Sequence, residues 1–287
     1  MPTPSLPAFA DASASAKADT ADRADKADPS SSVEKACRIL KVFTLGGSHR
    51  LTDIAVATGL DKATALRLLE VLSRDGFITR DAQTKCYALG PELLGLGAAA
   101  LAQFDPRAVV RPSLLRLAGE FEDTAILSVP SGVESLCVDL ELGSFPIRAN
   151  YLEVGSRRPL GVGAGSLALL AWSPEPEREA AMPQVEARLG RHPRISRSLL
   201  EAHMSQARLQ GYAVLLDVVV DRMGGIAVPL MGPDGRPVGA ISIAALSDRI
   251  SSREAALAQS LKREATLCES LWRNQAAPAR HERKARA

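Results

Sequence analysis

The chain has 287 residues, 46% of them hydrophobic, with a mean hydropathy of +0.01 and a formal net charge of +2. That length accommodates two ordinary domains with buried cores, and no apolar run reaches the roughly 18 residues of a membrane-crossing helix. A charge this close to neutral excludes a polycation, so any contact with nucleic acid must come from where the charges sit.

Residues 10–31 alternate Ala with Asp and Ser and offer no basic stretch followed by an apolar one, so residues 1–31 are expected to be an unprocessed, disordered tail. Cys37, Cys86, Cys137 and Cys268 lie far apart without a C-x-x-C pair. Neither a zinc site nor a disulfide framework is implied, and a reducing cytoplasm is the expected compartment. No cofactor, metal or membrane partner is expected. Residues 32–92 carry nine basic groups against seven acidic, and residues 274–287 four against one.

Ser31 and Glu34 form an S-x-x-E capping box ahead of Ala36, Ile39, Leu40 and Phe43, which predicts a helix ended by Gly46 and Gly47. A second short helix is expected from Thr52 as N-cap to Gly59, a residue able to take the left-handed turn. Asp61 can cap a third, with Ala65, Leu68, Leu69 and Leu72 buried and Ala63, Arg67, Glu70 and Arg74 on the opposite face. Two helices joined by a glycine turn, the second presenting Lys62, Thr64 and Arg67, form a DNA-reading helix-turn-helix, though a plain helical hairpin shares that pattern. Residues 77–79 and 86–89 flank a polar turn and predict a hairpin whose Arg80 and Lys85 can reach phosphates, a wing.

These blocks resemble the IclR family of bacterial regulators: S-V-E-K-A-x-R-I-L over residues 32–40, L-T-D-I-A-x-x-T-G-L-D-K-A-T-A-L-R-L-L over 51–69, G-F-I over 76–78 and Y-A-L-G-P-x-L-L-x-L-G over 87–97. DNA contacts are expected from Lys62, Ala63, Thr64, Arg67, Arg74, Arg80 and Lys85, with Arg67 the leading candidate and solvated surface charge the alternative for Lys62 and Arg74. Ala63 stands where a serine is usual and Leu66 where an aromatic residue or histidine is frequent, so the operator sequence does not carry over.

Residues 91–104 (PELLGLGAAALAQF) are apolar almost all round with many small side chains. Such a helix either packs on its own domain or pairs with its copy in a second subunit; the resemblance implies a linker helix that contributes to dimerisation. From residue 107 a helix through Val109, Leu114, Leu117 and Phe121 precedes strands at 124–129 and 135–142, with Ser131 and Gly132 in the turn. A helix follows at about 196–210, then strands at 212–216, 225–230 and 238–245, and a last helix from a Ser251/Glu254 capping box to about residue 272. The fold class is therefore α+β. With the resemblance it becomes an N-terminal winged helix-turn-helix (32–90), a linker helix (91–106), a GAF-like effector-binding domain (107–273) and a basic disordered tail (274–287).

Catalytic machinery is not visible. His49, His192, His203 and His281 do not cluster, and no nucleophile-elbow, zincin or phosphate-loop motif is present. The run G-V-G-A-G-S at 161–166 lacks dinucleotide-fingerprint spacing; before a helix expected at 167–172 it leaves amides that favour a carboxylate. The resemblance adds Leu160, Ala164, Gly165, Ser166, Gly225 and Ser242 as effector-binding positions, with Leu215 or Leu216, of which Leu216 is taken, where a polar residue is usual. A roomier, more apolar pocket is expected, binding a small carboxylate, aromatic acids included, with Arg157 and Arg158 as candidate counter-charges. The alternative is that these small residues serve packing alone. As a whole the chain is expected to be a ligand-responsive, non-enzymatic regulator binding a palindromic operator as a dimer or tetramer; the alternatives are a small-molecule-transforming enzyme and a non-sensing architectural DNA binder.

Overall fold

The computed structural model describes residues 30–103, 105–148 and 152–284. The tail expected over 1–31 lies outside them except for Ser30 and Ser31, as do Phe104 and the last three residues of the basic tail.

Helix α1 (Ser32–Val42) starts at the expected box: the Glu34 N–H donates to Ser31 Oγ at 3.2 Å and the Ser31 N–H to Glu34 Oε2 at 2.6 Å. A 3-10 turn at Phe43–Leu45 follows and ends at Gly46. Helix α2 (Leu51–Thr58) is capped differently from expectation. Its N-cap is Arg50, whose N–H donates to Asp53 Oδ2 at 3.1 Å, while the Thr52 hydroxyl turns to Asp53 Oδ1. Helix α3 (Lys62–Arg74) begins as expected, with Asp61 Oδ1 accepting from the Thr64 N–H at 2.8 Å. Ile39, Phe43, Ile54, Ala65, Leu69, Ile78 and Tyr87 close the core of this domain. Strands β1 (Ile78–Arg80) and β2 (Tyr87–Leu89) form the antiparallel wing, and a bridge between His49 and Tyr87 ties it to the turn before α2.

Gly90 fixes how the chain leaves this domain. A Cβ there would stand 2.0 Å from the Gly76 carbonyl oxygen, and its N–H bonds Phe77 O at 2.8 Å. Helix α4 (Glu92–Gln103) departs from that point, and over residues 92–100 it is almost wholly exposed, with Leu94 78% and Leu96 55% accessible.

The second domain is built on a six-stranded antiparallel sheet in the order β5-β4-β3-β8-β7-β6. Its strands are β3 (Thr124–Ser131), β4 (Glu134–Glu141), β5 (Arg157–Pro159), β6 (Ala213–Leu216), β7 (Met223–Met231) and β8 (Pro237–Leu246). Alternation along each strand sorts side chains between two faces. Ile241 and Ile243 of β8 pack with Leu114 and Leu117 of α5 (Pro106–Phe121) and Leu257 and Leu261 of α10 (Glu254–Lys284). The other face meets α6 (Ala164–Trp172), α7 (Glu175–Arg188) and α8 (Arg197–Gln210) through Leu167, Leu170, Val185, Leu200, Ala213 and Ala227.

Several expectations are corrected here. Ser131 belongs to β3, and the turn falls on Gly132 at φ +63°. Helix α6 starts at Ala164, three residues before the expected start, so Gly165 and Ser166 are helical. Ser251 does not cap α10: it ends the short helix α9 (Ser247–Ser251), and its hydroxyl donates to Ser247 O at 2.9 Å. The helical backbone of α10 runs on through Lys284, into the stretch expected as a tail.

Two buried carboxylates tie the helices of this domain in place. Asp123 accepts from Arg249 Nε at 3.0 Å and Arg253 at 2.5 Å, and both arginines also bond Phe121 O. Glu264 of α10, 1% exposed, takes Arg116 of α5 at 2.6–3.2 Å. Burial alone pushes the Glu264 carboxyl up, but hydrogen bonds from Arg116 and Ser113 and the charges of Arg116 and Arg263 together bring it below its usual value. A folded-state value that is lowered contributes stability above the unfolded value and loses it as pH falls through the folded one. Glu264→Gln is expected to lower stability at neutral pH by about 1–3 kcal/mol and to flatten the acid dependence, measured as urea midpoints at neutral pH and at about pH 4.

Candidate nucleic-acid interface and ligand pocket

Helix α3 presents Lys62, Ala63, Arg67, Glu70 and Arg74 to solvent, while Thr64 is half-buried beside its cap. Hydrogen bonds from the Thr64 amide and hydroxyl hold the Asp61 carboxyl below its usual range, so the cap stays ionised. Among the described residues Arg67 and Lys62 make no ion pair, and Arg74 lies 3.7 Å from Asp75. In the wing, Asp81 Oδ1 accepts from the amides of Gln83 and Thr84 and from the Thr84 hydroxyl, and Lys85 takes φ +61° at the turn. Arg80 is not at the tip. It closes β1 opposite Tyr87, with its guanidinium 5.3 Å from the ring centroid. Three exposed cations on one helix and two on the adjoining hairpin can contact a phosphate backbone flanking one groove.

The second site lies under the N-terminus of α6. Gly163 is the N-cap at φ +97°, and the first intrahelical bond runs from the Leu167 N–H to Gly163 O, so the amides of Ala164, Gly165 and Ser166 precede the ladder. Below them the sheet offers Gly225 of β7 and Ser242 of β8. A Cβ on Gly225 would lie 3.2 Å from the Ala164 Cβ, and one on Gly165 would lie 3.4 Å from Ser242 Oγ and 3.6 Å from Ser128 Oγ. The gap is a cavity of about 50 Å³.

Of the positions expected to bind an effector, Ala164, Gly165, Ser166, Gly225 and Ser242 line this cavity. Leu160 and Leu216 do not. Leu160 is buried in the cluster beneath α6, and strand alternation turns Leu216 to the α5–α10 face while Leu215 lines the cavity. The Ser166 hydroxyl donates to Pro159 O at 2.7 Å, so its proton is already used.

The expected roominess is not found, at about 50 Å³, and the wall is apolar for the most part with polar groups set into it. Hydroxyls of Ser128, Ser135, Ser156, Ser166 and Ser242 and the Arg158 guanidinium share the wall with apolar residues such as Ile126 and Leu152. The two adjacent arginines part company in β5. Arg157 donates to Ser131 Oγ at 2.8 Å and lies 3.6 Å from Glu134, whereas Arg158 lines the cavity with its Nη1 3.3 Å from where a Gly163 Cβ would be.

Cys137 also lines the cavity, and burial, followed by the charge of Asp139, pushes its thiol up to about 11. It stays protonated at neutral pH. The serines of β3 and β4 were missed from the sequence although Ile126/Ser128 and Ser135/Cys137 stand two apart, the spacing of a shared strand face. Among the described residues no three His, Cys, Asp or Glu side chains converge as a metal site, and no helix is long and apolar enough to cross a membrane.

Residues 32–82 match the IclR helix-turn-helix domain, and residues 98–268 match the bacterial transcriptional regulator IclR C-terminal domain. The chain is 32% identical over 224 residues to the glycerol operon regulatory protein of Streptomyces coelicolor, covering 76% of this chain and 86% of that protein. It is 28% identical over 227 residues to the transcriptional regulator XynR of Escherichia coli, covering 78% and 90%. Among solved structures, an IclR transcriptional regulator from Alicyclobacillus acidocaldarius aligns with a TM-score of 0.68 at 25% identity, covering 83% of this chain and 97% of that one. An IclR homologue from Microbacterium hydrocarbonoxydans, complexed with 4-hydroxybenzoate, aligns with a TM-score of 0.67 at 22% identity, covering 84% and 98%.

Proposed function

This chain belongs to the IclR family of bacterial transcriptional regulators, with a helix-turn-helix DNA-binding domain and a C-terminal effector domain, and from that premise we propose that it binds a palindromic operator as a dimer or tetramer and senses a small carboxylate.

The observation that carries the sensing half is the meeting of three anion-favouring features at one cavity: the first-turn amides of α6, the Arg158 guanidinium and the Ser128 and Ser242 hydroxyls. A helix N-terminus stabilises negative charge, and a guanidinium beside it reinforces that preference. Size narrows the class. About 50 Å³ is far below the roughly 300–1,000 Å³ of a site for a drug-sized ligand, so a short-chain acid fits the closed pocket and an aromatic acid requires a wall to move. The homologue holding 4-hydroxybenzoate shares the fold at 22% identity; the expectation for this chain rests on its own residues.

For DNA, Arg67 at the centre of the exposed face of α3 is the leading contact, with Lys62, Ala63, Thr64 and Arg74 beside it and Arg80 and Lys85 of the wing on flanking phosphates. Two copies of α3 reading a symmetric site need a subunit interface, and the exposed apolar helix α4, with Leu94 and Leu96, is suited to supply one.

A footprint on the DNA upstream of the chain's own gene, with and without pyruvate or 4-hydroxybenzoate, tests operator symmetry and effector response together. Arg67→Ala should weaken operator binding by about 1–3 kcal/mol in a titration at fixed salt while leaving subunit association unchanged; undiminished binding would remove α3 as the reader. Arg158→Gln is expected to abolish the acid response and preserve DNA binding, whereas Arg157→Gln, tied to Ser131 and Glu134, should leave both intact. Leu94→Glu should shift the sedimentation of the free protein towards smaller species; an unaltered profile would show that α4 is not the pairing surface.

A further inference from the structure

The cavity is closed on one side by residues 217–222, which join β6 to β7, and Val219 and Val220 of that loop line it. Asp217 and Arg222, at its two ends, both take φ +60°, an uncommon conformation for residues with a side chain. The ends are pinned. The Asp217 N–H donates to Met223 O at 3.0 Å, and Ser247 at the start of α9 grips both, its hydroxyl donating to Asp217 Oδ1 at 2.8 Å and its N–H to Arg222 O at 2.9 Å.

Between the pins the loop is held from outside. Arg194, on the strap that leads into α8, donates to Asp217 O at 2.9 Å and pairs with the Asp221 carboxylate. Both side chains of that pair are well exposed, 54% for Arg194 and 74% for Asp221, so water competes for it and it can be broken and remade at small cost. The inner surface is a different matter. Val218 and Val219 pack against the cluster beneath α6, and Val219 and Val220 turn branched apolar side chains to the cavity.

We propose that the 217–222 loop is the gate of the pocket, hinged at Asp217 and Arg222, plugged by Val219 and Val220 and latched by the Arg194–Asp221 pair, and that its closed position limits the size of acid accepted. The limit on size rests on the carboxylate-sensing reading above; the gate itself does not. Fixed ends with a breakable latch between them let the middle of the loop swing outward while the sheet stays intact. The cavity of about 50 Å³ is then the shut state, and a larger acid enters by displacing the valines.

Cys137, 3% exposed on the far wall of the cavity, reports gate opening without any effector. In the full-length chain carrying Cys37→Ser and Cys86→Ser, the rate of Cys137 modification by methyl methanethiosulfonate is followed by peptide mass spectrometry at one pH. Cys268, buried between α5 and α10, serves as the control for general loosening. Arg194→Gln lies at the surface and removes the latch together with the bond to Asp217 O; it should raise the Cys137 rate about two- to fivefold with Cys268 unchanged. Val219→Ala should raise it as well. A selective rise in either variant supports the gate. No rise in either, or a rise matched by Cys268, overturns it. Because no acid is present, this result stands apart from whether the pocket's ligand is a carboxylate.

Discussion

The N-terminus of α6 lies so close to the sheet that only small residues fit between them, and the rest of the effector domain is arranged around that approach. Gly225 faces the Ala164 Cβ at 3.2 Å from its own would-be Cβ, and Gly165 faces Ser242 and Ser128 in the same way. Larger side chains would fill the gap and push the helix away. Small ones leave a cavity beside unbonded helix amides, and serine hydroxyls and the Arg158 guanidinium share its walls. The opposite face of the same strands packs Ile226, Ile241 and Ile243 against α5 and α10. One face therefore supplies rigidity, and the other supplies room.

In the N-terminal domain the equivalent constraint is the contact of Gly90 with Gly76. It brings the end of the wing against the turn after α3, and the Glu92 N–H then bonds Gly76 O at 3.3 Å, so α4 starts from a fixed point beside the DNA-facing helix. The direction of α4 is thereby coupled to the direction of α3. The apolar surface that α4 leaves exposed is large for a helix in water, where an exposed Leu94 or Leu96 gains nothing from burial.

Local rules that act within four residues were legible in the sequence. The Ser31–Glu34 box, the Asp61 cap and the left-handed Gly59 are all where residue types alone put them. The Arg50 cap of α2 escaped notice because the bond is made by Asp53 reaching back to an amide, and any residue can supply that amide. Helix α7 was missed since it carries Pro183 in its interior, which reads as a breaker, and only Met182 and Val185 are buried along its length. Facing was the harder quantity. A four-residue strand with Leu215 and Leu216 side by side reads equally well in either register, and only its pairing with Gly225 and Gly224 decides which leucine meets the pocket. The loop that follows β6 was no more legible, because the left-handed residues Asp217 and Arg222 at its two ends carry no glycine to announce them.

The route from pocket to DNA-reading helix is set by what touches what. Strand β4 lines the cavity through Ser135 and Cys137 and is gripped from the other side by Arg111 of α5, which bonds Asp139 Oδ1 at 3.1 Å, Leu140 O at 2.9 Å and Glu141 Oε2 at 2.5 Å. Helix α5 is the element that follows α4 in the chain, and α4 begins at the Gly76–Gly90 contact beside α3. Packed elements transmit a displacement because they have no slack to absorb it. The Arg111 triad is the narrowest part of that route, because one guanidinium, 40% exposed, makes all three bonds.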